Sequence, residues 1–301
     1  MKFEKTLKIV TLNDIDIISK YLRLYPSENC DFNICNLICW GMYYKLEYAI
    51  VMDRLVLFNP YYSYLLFPIG EYFTAKELME LNQCCKEIHN NVEIMVVPED
   101  YIDKTIGLDE YFEIINDEDW NDYVYLTDKL INLSGKKLAK KKNLISQFKR
   151  EYPDYQVKSI DESDFKEILD FSYKWKEIQN REDDYLDIEF IAIENIIKNW
   201  RYLPAEGIKI YVNNKIVSYA IFSPQTEDMY TVHFEKFNPM IKGSAQLVNQ
   251  ETAQYLKDKV KYINREQDIG DLGIRQAKRS YQPEKMVKYY RLKLKKMMIL
   301  L

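Results

Sequence analysis

The sequence predicts an α+β fold in which one unit of strands and helices occurs twice along the chain. In the second half, Ile208, Ile210 and Val212 alternate with polar neighbours, as a half-buried strand does. More apolar runs and one helical pattern follow this strand. The first half repeats the same order of elements about 160–170 residues earlier. We therefore expect two tandem domains, each a mixed, mostly antiparallel sheet flanked by helices.

The second copy is predicted from residue 207 onward. Asn213 and Asn214 suit a tight hairpin turn, because asparagine tolerates positive φ angles. A loop over residues 238–243 precedes a helix over residues 244–260, whose apolar side chains recur near one face. The predicted strands of this copy cover residues 208–212, 216–222, 229–234 and 262–263.

The first copy has its hairpin turn at Met52 and Asp53 and a predicted helix over residues 74–89. Helices at 163–178 and 188–200 are predicted between the two copies. Because Pro153 disfavours a continuing helix, we expect domains at residues 1–150 and 151–301. The predicted strands of this copy cover residues 48–52, 55–58, 64–67 and 92–97.

The composition excludes several classes of protein. Only 8 glycines occur among 301 residues, and neither GxGxxG nor GxxxxGK[ST] is present, which argues against Rossmann and P-loop nucleotide binding. The 5 cysteines are irregularly spaced, without a CxxC pair or a nearby histidine. They predict buried thiols in a reducing, cytoplasmic protein, with neither a metal site nor a disulfide framework. No apolar run is long enough to span a membrane.

Basic residues are concentrated in two segments, although the formal net charge is -5. Ser134 is predicted to cap a helix that runs through Lys149 and carries a basic stripe. Such a stripe is either a solvated helix face or a seat for a tRNA acceptor end, a nucleotide or a lipid headgroup. The two segments contain Lys136, Lys137, Lys140, Lys141, Lys142, Lys149 and Arg150, and Lys285, Lys288, Arg291, Lys293, Lys295 and Lys296.

The segment over residues 264–281 begins where a predicted buried strand ends, and enzymes on open sheets often place their chemistry at such ends. It combines amide, guanidinium and phenol groups around two glycines. Arg265 or Arg275 could hold a carboxylate or phosphate through two parallel hydrogen bonds. Tyr281 could act as an acid toward a leaving sulfur or ribose oxygen, or could be an interface aromatic.

His233 and Glu235 alternate on the third strand of the second copy, so we expect both side chains on one face of the sheet. This geometry would suit a catalytic base and its orienting partner. Two structural interpretations stay open. His233 could be a hydrogen-bonded sheet histidine, and Glu235 could form a salt bridge with Lys236 or Arg265.

The order of three antiparallel strands, loop, helix and parallel strand resembles the GNAT acyltransferase fold. In that fold, backbone amides before the central helix bind the cofactor pyrophosphate. Gly243 and Ala245 match the family loop, whereas Met240 departs from it and Lys242 could supply the missing charge. The resemblance implies a carrier-binding site made by Lys242, Gly243, Ser244, Ala245, Asn264 and Arg265. The equivalent loop of the first copy, residues 67–72, carries Glu71 and no basic residue, so that copy is predicted to be degenerate.

Several stretches of the chain together match one known family. They are residues 122–125, 130, 133–137 and 140–143, then 233–236, 242–243, 246 and 249–251, and 264–283, with 36–37 and 40 as a weaker match. Through these stretches the chain resembles soluble proteins related to the C-terminal domain of phosphatidylglycerol lysyltransferase. The resemblance implies transfer of an acyl or aminoacyl group from a coenzyme A thioester or an aminoacyl-tRNA to an unknown acceptor, a small molecule or a lipid headgroup. A non-catalytic protein that binds an anionic ligand or a partner is the alternative.

Overall fold

A computed structural model describes residues 7–86, 92–179 and 184–295. The chain divides into two compact units, which are unit 1, Met1–Asn121 with Val287–Leu301, and unit 2, Asp122–Met286. The division thus lies at Asn121 and not at the expected residue 150. The reason is that the strand directly after Asn121 pairs within the second sheet, and that the chain returns to the first sheet after Met286.

Strands are numbered along the whole chain. They are β1 (Lys8–Ile9), β2 (Glu47–Val51), β3 (Arg54–Asn59), β4 (Tyr64–Leu66), β5 (Glu93–Val97), β6 (Phe112–Asn116), β7 (Asp122–Leu126), β8 (Gln156–Ser159), β9 (Glu206–Val212), β10 (Lys215–Thr226), β11 (Met229–Phe237), β12 (Tyr262–Asn264), β13 (Lys285–Val287) and β14 (Tyr290–Leu294). The predicted strands of both copies are therefore present, with ends that differ by a few residues.

The α-helices are numbered in the same way. They are α1 (Ile15–Leu24), α2 (Ile34–Tyr44), α3 (Ala75–Lys86), α4 (Glu99–Lys104), α5 (Leu108–Tyr111), α6 (Thr127–Asn132), α7 (Ala139–Glu151), α8 (Phe165–Gln179), α9 (Asp184–Lys198), α10 (Ser244–Leu256) and α11 (Leu272–Arg279). The last residues of the helix predicted over 74–89 lie outside the described part of the chain. Across the described residues, none of the helices has both the length and the apolarity needed to span a bilayer.

Unit 1 contains a mixed sheet in the order β1-β2-β3-β4-β5-β14-β6. Strands β4 and β5 run parallel and the other described pairs run antiparallel. The predicted hairpin turn is confirmed, since Met52 and Asp53 have φ angles of 48° and 61°. In the loop that corresponds to the predicted carrier loop, the Arg54 Nε donates to the Glu71 carbonyl at 2.8 Å. Arg54 also stacks on Phe73, 4.6 Å from the ring centre. This packing supports the prediction that the loop is structural.

Unit 2 contains a mixed sheet in the order β13-β7-β12-β11-β10-β9-β8. Strands β11 and β12 run parallel, and β7 pairs antiparallel with β12. The hairpin turn between β9 and β10 is confirmed, with φ angles of 50° at Asn213 and 59° at Asn214. Both units thus share the predicted order of three antiparallel strands, a helix and a parallel strand.

Helices cover both faces of the unit 2 sheet. Ala220 and Phe222 of β10 pack in one core cluster with Leu247 and Val248 of α10. Tyr219, directly before Ala220, faces the other way, and its hydroxyl lies 2.6 Å from the Ser172 hydroxyl of α8. The face under α10 and the face under α8 are therefore distinct, and each β11 side chain can be assigned to one of them.

The prediction that Ser134 caps the lysine-rich helix is wrong. Leu133 and Gly135 have φ angles of 45° and 93°, so the chain turns there before any helix begins. Helix α7 starts only at Ala139, after the Leu138 amide has bonded to the Gly135 carbonyl. Lys136 and Lys137 therefore precede the helix, whereas Lys140 and Lys141 lie in its first turn.

Candidate active site

The candidate site lies where two parallel strands of unit 2 separate. Strands β11 and β12 pair only from Met229 with Tyr262 to Thr231 with Asn264. Beyond this point β11 continues to Phe237 along β10, while β12 ends at Asn264 and the next two residues form backbone hydrogen bonds with Tyr123 of β7. When one parallel strand ends beside a longer one, side chains from both strands can contact a ligand at its carboxyl end. We call the place beside β11 where β12 ends the gap between β11 and β12.

A β-bulge at His233 decides which side chains meet in this gap. Ile221 of β10 is paired with Phe234 of β11, but the next residue, Phe222, is paired with Val232. His233 is the extra residue, and such an insertion reverses the alternation of side chains along a strand. The expectation that His233 and Glu235 share one face is therefore wrong.

Glu235 belongs to a polar cluster on the α10 side of the sheet. Its Oε1 lies 3.0 Å from the Arg265 Nη2, and both side chains are mostly buried, with 14% and 13% exposed. The structural interpretation of a Glu235–Arg265 salt bridge is thus confirmed. The Asn249 amide of α10 is oriented with its oxygen toward Arg265, since that oxygen then accepts from Nε, Nη1 and Nη2 at 3.1, 3.0 and 3.3 Å.

Two tyrosines and a lysine complete this cluster. The Arg265 guanidinium lies 5.2 Å from the ring centre of Tyr281 and 5.8 Å from that of Tyr125. The Lys141 Nζ lies 4.2 Å from the ring centre of the same Tyr281 and donates to the Ser280 hydroxyl at 2.7 Å. Two cations therefore contact the Tyr281 ring, which places a phenol, two positive charges and one carboxylate together.

The burial of the cluster changes the ionisation of its members. Burial raises the pKa of Tyr281 above its usual value, so the phenol keeps its proton at neutral pH. Burial also lowers the pKa of Lys141, and the nearby charges of Arg265 and Lys140 add to this effect. A protonated phenol and a lysine with a lowered pKa are groups that can donate hydrogen bonds to developing negative charge.

His233 forms a separate buried chain of hydrogen bonds. Its Nε2 lies 2.7 Å from the Ser223 hydroxyl and its Nδ1 lies 3.0 Å from the Glu266 Oε1. The imidazole has no exposed surface. This arrangement matches the hydrogen-bonded sheet histidine that the sequence left open, and it does not support the predicted catalytic role.

Asn264 is fully buried and its amide is used inside the protein. The Nδ2 donates to the Asp122 Oδ2 at 2.7 Å, and the Oδ1 accepts from the Glu266 amide at 2.7 Å. Glu266 itself has a φ angle of 57°. These bonds fix the bend by which the chain leaves β12, so Asn264 orients Arg265 and is not placed to touch a carrier.

The turn over residues 238–245 lies at the start of α10. The amides of Met240, Ile241 and Ser244 are bonded within the turn, to the Asn238 side chain, the Asn238 carbonyl and the Ile241 carbonyl. The Ser244 hydroxyl is also used there, 2.7 Å from the Ile241 carbonyl. Fewer backbone amides are therefore available to an anion than the GNAT loop implies.

The predicted carrier residues of this turn have different surroundings. Gly243 has a φ angle of 88° and packs against α7, while Lys242 is exposed and Ala245 is half-buried. The structure thus joins Glu235, Arg265 and Tyr281 in one cluster and places Lys242 to Ala245 at the start of α10.

Sequence reasoning did not assign Lys141, Asn249 or Tyr125 to the site, although all three lie in stretches that carry the resemblance. Within the described residues no group of three metal-ligating side chains is found.

A protein-family model described as "Phosphatidylglycerol lysyltransferase, C-terminal" matches residues 22–293. An uncharacterized protein of Mycoplasmoides gallisepticum is 26% identical over 205 residues, which are 64% of this chain and 64% of that protein. The match therefore spans slightly less than two thirds of this curated relative.

Solved structures with the same fold cover nearly the whole chain. A conserved protein of unknown function from Bacteroides thetaiotaomicron is 30% identical, with a TM-score of 0.88 over 96% of this chain and 99% of that one. L-PGS of Bacillus licheniformis has a TM-score of 0.65 at 14% identity, over 92% and 91% of the two chains. A tandem GNAT protein from the clavulanic acid biosynthesis pathway has a TM-score of 0.50 at 7% identity, over 95% and 97%. The tandem GNAT-like fold expected from the sequence is therefore confirmed.

Proposed function

Because the chain belongs to the family of phosphatidylglycerol lysyltransferase C-terminal domains, we propose that unit 2 transfers an aminoacyl group from a carrier to a nucleophilic acceptor. The observation that carries this proposal is the convergence of Glu235, Arg265, Tyr281 and Lys141 beside the gap between β11 and β12. Transfer from an ester needs a group that takes the acceptor's proton, cations near the oxyanion and an acid for the leaving oxygen. The cluster contains one carboxylate, two cations and one phenol for these three tasks.

In this reaction the acceptor's oxygen or nitrogen attacks the carbonyl carbon of the donor. Glu235, oriented by Arg265, receives the acceptor's proton, while Lys141 and Arg265 stabilise the negative charge on the carbonyl oxygen. The bond from the carbonyl carbon to the carrier oxygen then breaks, and Tyr281 protonates that oxygen. Solvent returns a proton to Tyr281 and removes one from Glu235, so the site is restored.

The turn before α10 favours an aminoacyl-tRNA over a coenzyme A thioester as the donor. A pyrophosphate cradle needs several backbone amides that point outward at a helix start. Here the amides of Met240, Ile241 and Ser244 are bonded within the turn. The lysines near the start of α7 offer an alternative contact for a polynucleotide backbone, without requiring those amides.

The test offers tRNA charged with labelled amino acids, and separately labelled acetyl-coenzyme A, together with hydroxyl and amine acceptors. We expect the labelled amino acid to be transferred from the tRNA to the acceptor. Glu235→Gln should lower the rate of this transfer about a hundredfold or more, because the proton acceptor is lost. Glu227→Gln, which changes an exposed carboxylate of the same unit, is the matched control and should leave the rate unchanged. Thermal melts of both variants check the fold.

Three results would contradict parts or all of the proposal. Transfer of label from acetyl-coenzyme A, but not from charged tRNA, would reject tRNA as the donor and still support an acyltransferase. Unchanged turnover in Glu235→Gln would reject the role of Glu235 as the proton acceptor. Ligand binding without any turnover would favour the non-catalytic alternative.

A further inference from the structure

The proposed proton acceptor, Glu235, lies on a part of β11 that has a neighbouring strand on one side. In the described sheet of unit 2, β11 pairs with β12 up to Thr231 and with β10 as far as Phe237. The end of β11, residues 232–237, is thus flanked by β10 and by the gap between β11 and β12. An unpaired strand edge lacks the hydrogen bonds that would fix the backbone from that side. The position of Glu235 therefore depends on the side-chain contacts of this segment.

The residue after Glu235 contacts two helices on the opposite face of the sheet. Lys236 is paired with Tyr219 of β10, and directly opposite residues of an antiparallel pair share a face, so Lys236 lies on the α8 side. Its Nζ lies 2.7 Å from the Glu189 Oε2 of α9 and 3.8 Å from the ring centre of Trp175 of α8. One ammonium group therefore attaches the end of β11 to both helices.

The Lys236–Glu189 ion pair lies inside the protein. The two side chains are 6% and 16% exposed. Burial lowers the pKa of Lys236, while the carboxylates of Glu189 and Glu235 act in the opposite direction. Lys236 therefore interacts electrostatically both with its partner on α9 and with the carboxylate of the candidate site.

Stability alone does not account for an ion pair in this place. The free energy needed to take two charges out of water roughly cancels their attraction, so apolar residues of similar volume usually stabilise an interior at least as well. The loss of one partner has a larger effect, because the other charge is then buried without a partner and must move or lose its charge. The pair thus determines where the Lys236 side chain lies, between α8 and α9.

We propose that Lys236 and Glu189 are positioning residues for Glu235. Their ion pair holds the end of β11 against α8 and α9, so that the Glu235 carboxylate meets Arg265 on the other face of the sheet. This inference rests on the proposed function, since it assigns the pair to the residue that receives the acceptor's proton. A displacement of that residue by about 1 Å is enough to lower the rate up to about a hundredfold.

The first test removes both charges, with Lys236→Met and Glu189→Gln in one chain. Neither charge is then left in the interior without its partner, so thermal melts should show a folded protein. With charged tRNA as the donor, we expect kcat for aminoacyl transfer to fall about tenfold or more and KM to change by less than about twofold. A displaced proton acceptor slows the chemical step, whereas the groups that bind the substrates are unchanged.

A second buried ion pair on the same face provides the matched control. Lys209 of β9 is also paired with Tyr219, and it forms an ion pair with Asp164, directly before α8. The two side chains are 4% and 10% exposed. Lys209→Met with Asp164→Asn removes the same two charges at a distance of two strands from β11. This control should leave kcat and KM unchanged.

The second test needs no substrate. The Arg265 guanidinium bonds to Glu235 at 3.0 Å and is mostly buried, so its NMR signal reports a displacement of the Glu235 carboxylate. The signal is identified by its loss in Arg265→Lys. We expect Lys236→Met with Glu189→Gln to shift it, and the control pair to leave it in place.

A third variant covers the case in which the double variant does not fold. Glu189→Asp keeps the negative charge but shortens the side chain by one methylene group, so its carboxylate no longer reaches Lys236 without movement of the strand. This variant should change kcat and the Arg265 signal in the same direction as the double variant, by a smaller amount.

Three results would overturn the proposal. They are an unchanged kcat in a folded variant of the pair, an unchanged Arg265 signal, and equal changes in the Lys209–Asp164 control. If the unchanged chain transfers no aminoacyl group, the proposed function fails. The Arg265 signal then still shows whether the ion pair positions Glu235, so failure of the two proposals can be told apart.

Discussion

At the scale of single residues, Asp268 is the most heavily bonded carboxylate near the site. It is fully buried and accepts from Arg275 at 2.7 and 2.8 Å, from the Tyr123 hydroxyl at 2.5 Å and from the Gly270 amide at 3.0 Å. Burial raises the pKa of Asp268, but these hydrogen bonds outweigh it, and the net pKa lies below the usual value. The charged form therefore stabilises the loop after β12.

The substitution Asp268→Asn should lower the free energy of unfolding at neutral pH by about 2–4 kcal/mol, because Arg275 loses its carboxylate partner. The pKa of Asp268 is lower in the folded chain than the value of about 3.9 in the unfolded chain, so above that pH the charged carboxylate stabilises the fold. This stabilisation is lost as the pH falls from the unfolded-state pKa through the folded-state pKa. The difference between the unchanged chain and Asp268→Asn should therefore shrink below about pH 4. Urea unfolding between neutral and acidic pH measures it, and a difference that stays constant would contradict this assignment.

Arg265 shows how much of the site can be predicted at this scale. Its position after an apolar run and its family resemblance identify it from the sequence, and its salt bridge with Glu235 is one of the partners considered. Lys141 and Asn249, on two separate helices, could not be placed near it. Their distances depend on how α7 and α10 pack, and no local pattern encodes that packing.

At the scale of elements, the approach of α10 to α7 depends on Gly243. This residue caps α10 with a φ angle of 88°. A Cβ at this position would lie 2.6 Å from the Leu144 carbonyl oxygen and 3.1 Å from the Phe148 Cβ. Glycine is therefore needed for two reasons, the left-handed backbone and the close contact between helices.

Gly243→Ala should destabilise the protein by about 2–4 kcal/mol, because the added methyl group meets α7 as well as the unfavourable φ angle. Gly135→Ala is the matched control: its φ angle is 93°, but nothing lies within 4 Å of an added Cβ. The free energy of unfolding of this control should fall by only about 1–2 kcal/mol. Chemical denaturation of both variants measures the difference, and equal losses would show that the contact with α7 is unimportant.

The bulge at His233 is an element-scale feature that changes the site. Period-two alternation in the sequence predicts one face for His233 and Glu235, and this is correct for a regular strand. The extra residue in β11 reverses the alternation, so only Glu235 reaches Arg265. Nothing in the apolar pattern of β11 marks the insertion, because residues on both sides of it are buried.

At the scale of the whole molecule, the chain crosses between units twice. Strand β7 follows Asn121 and joins the sheet of unit 2 beside β12. Strand β14 follows Met286 and lies between β5 and β6 in the sheet of unit 1. Each sheet therefore includes a strand that comes from outside its own predicted copy.

Truncation after Met286 should destabilise unit 1 selectively, because β5 and β6 lose the strand between them and the buried Leu292 is removed. Hydrogen exchange should show lost amide protection in β5 and β6, with protection kept in β9 to β11. Truncation after Lys295, which retains β14, is the control. Unchanged protection of β5 and β6 in the shorter chain would refute this account of unit 1.

The sequence by itself determined the two copies, their strand order, the hairpin turns at Met52–Asp53 and Asn213–Asn214, and the family. These features follow from short-range periodicity, turn propensity and motif residues. Only the tertiary structure decided where the units divide, at Asn121, and where β11 bulges, at His233. It also decided that Glu235, Arg265, Tyr281 and Lys141 lie close together. The exchange of strands between the sheets and the packing of helices depend on contacts between residues more than a hundred positions apart, as between Lys141 and Ser280. Local sequence patterns do not predict such contacts, because they reflect only neighbouring residues.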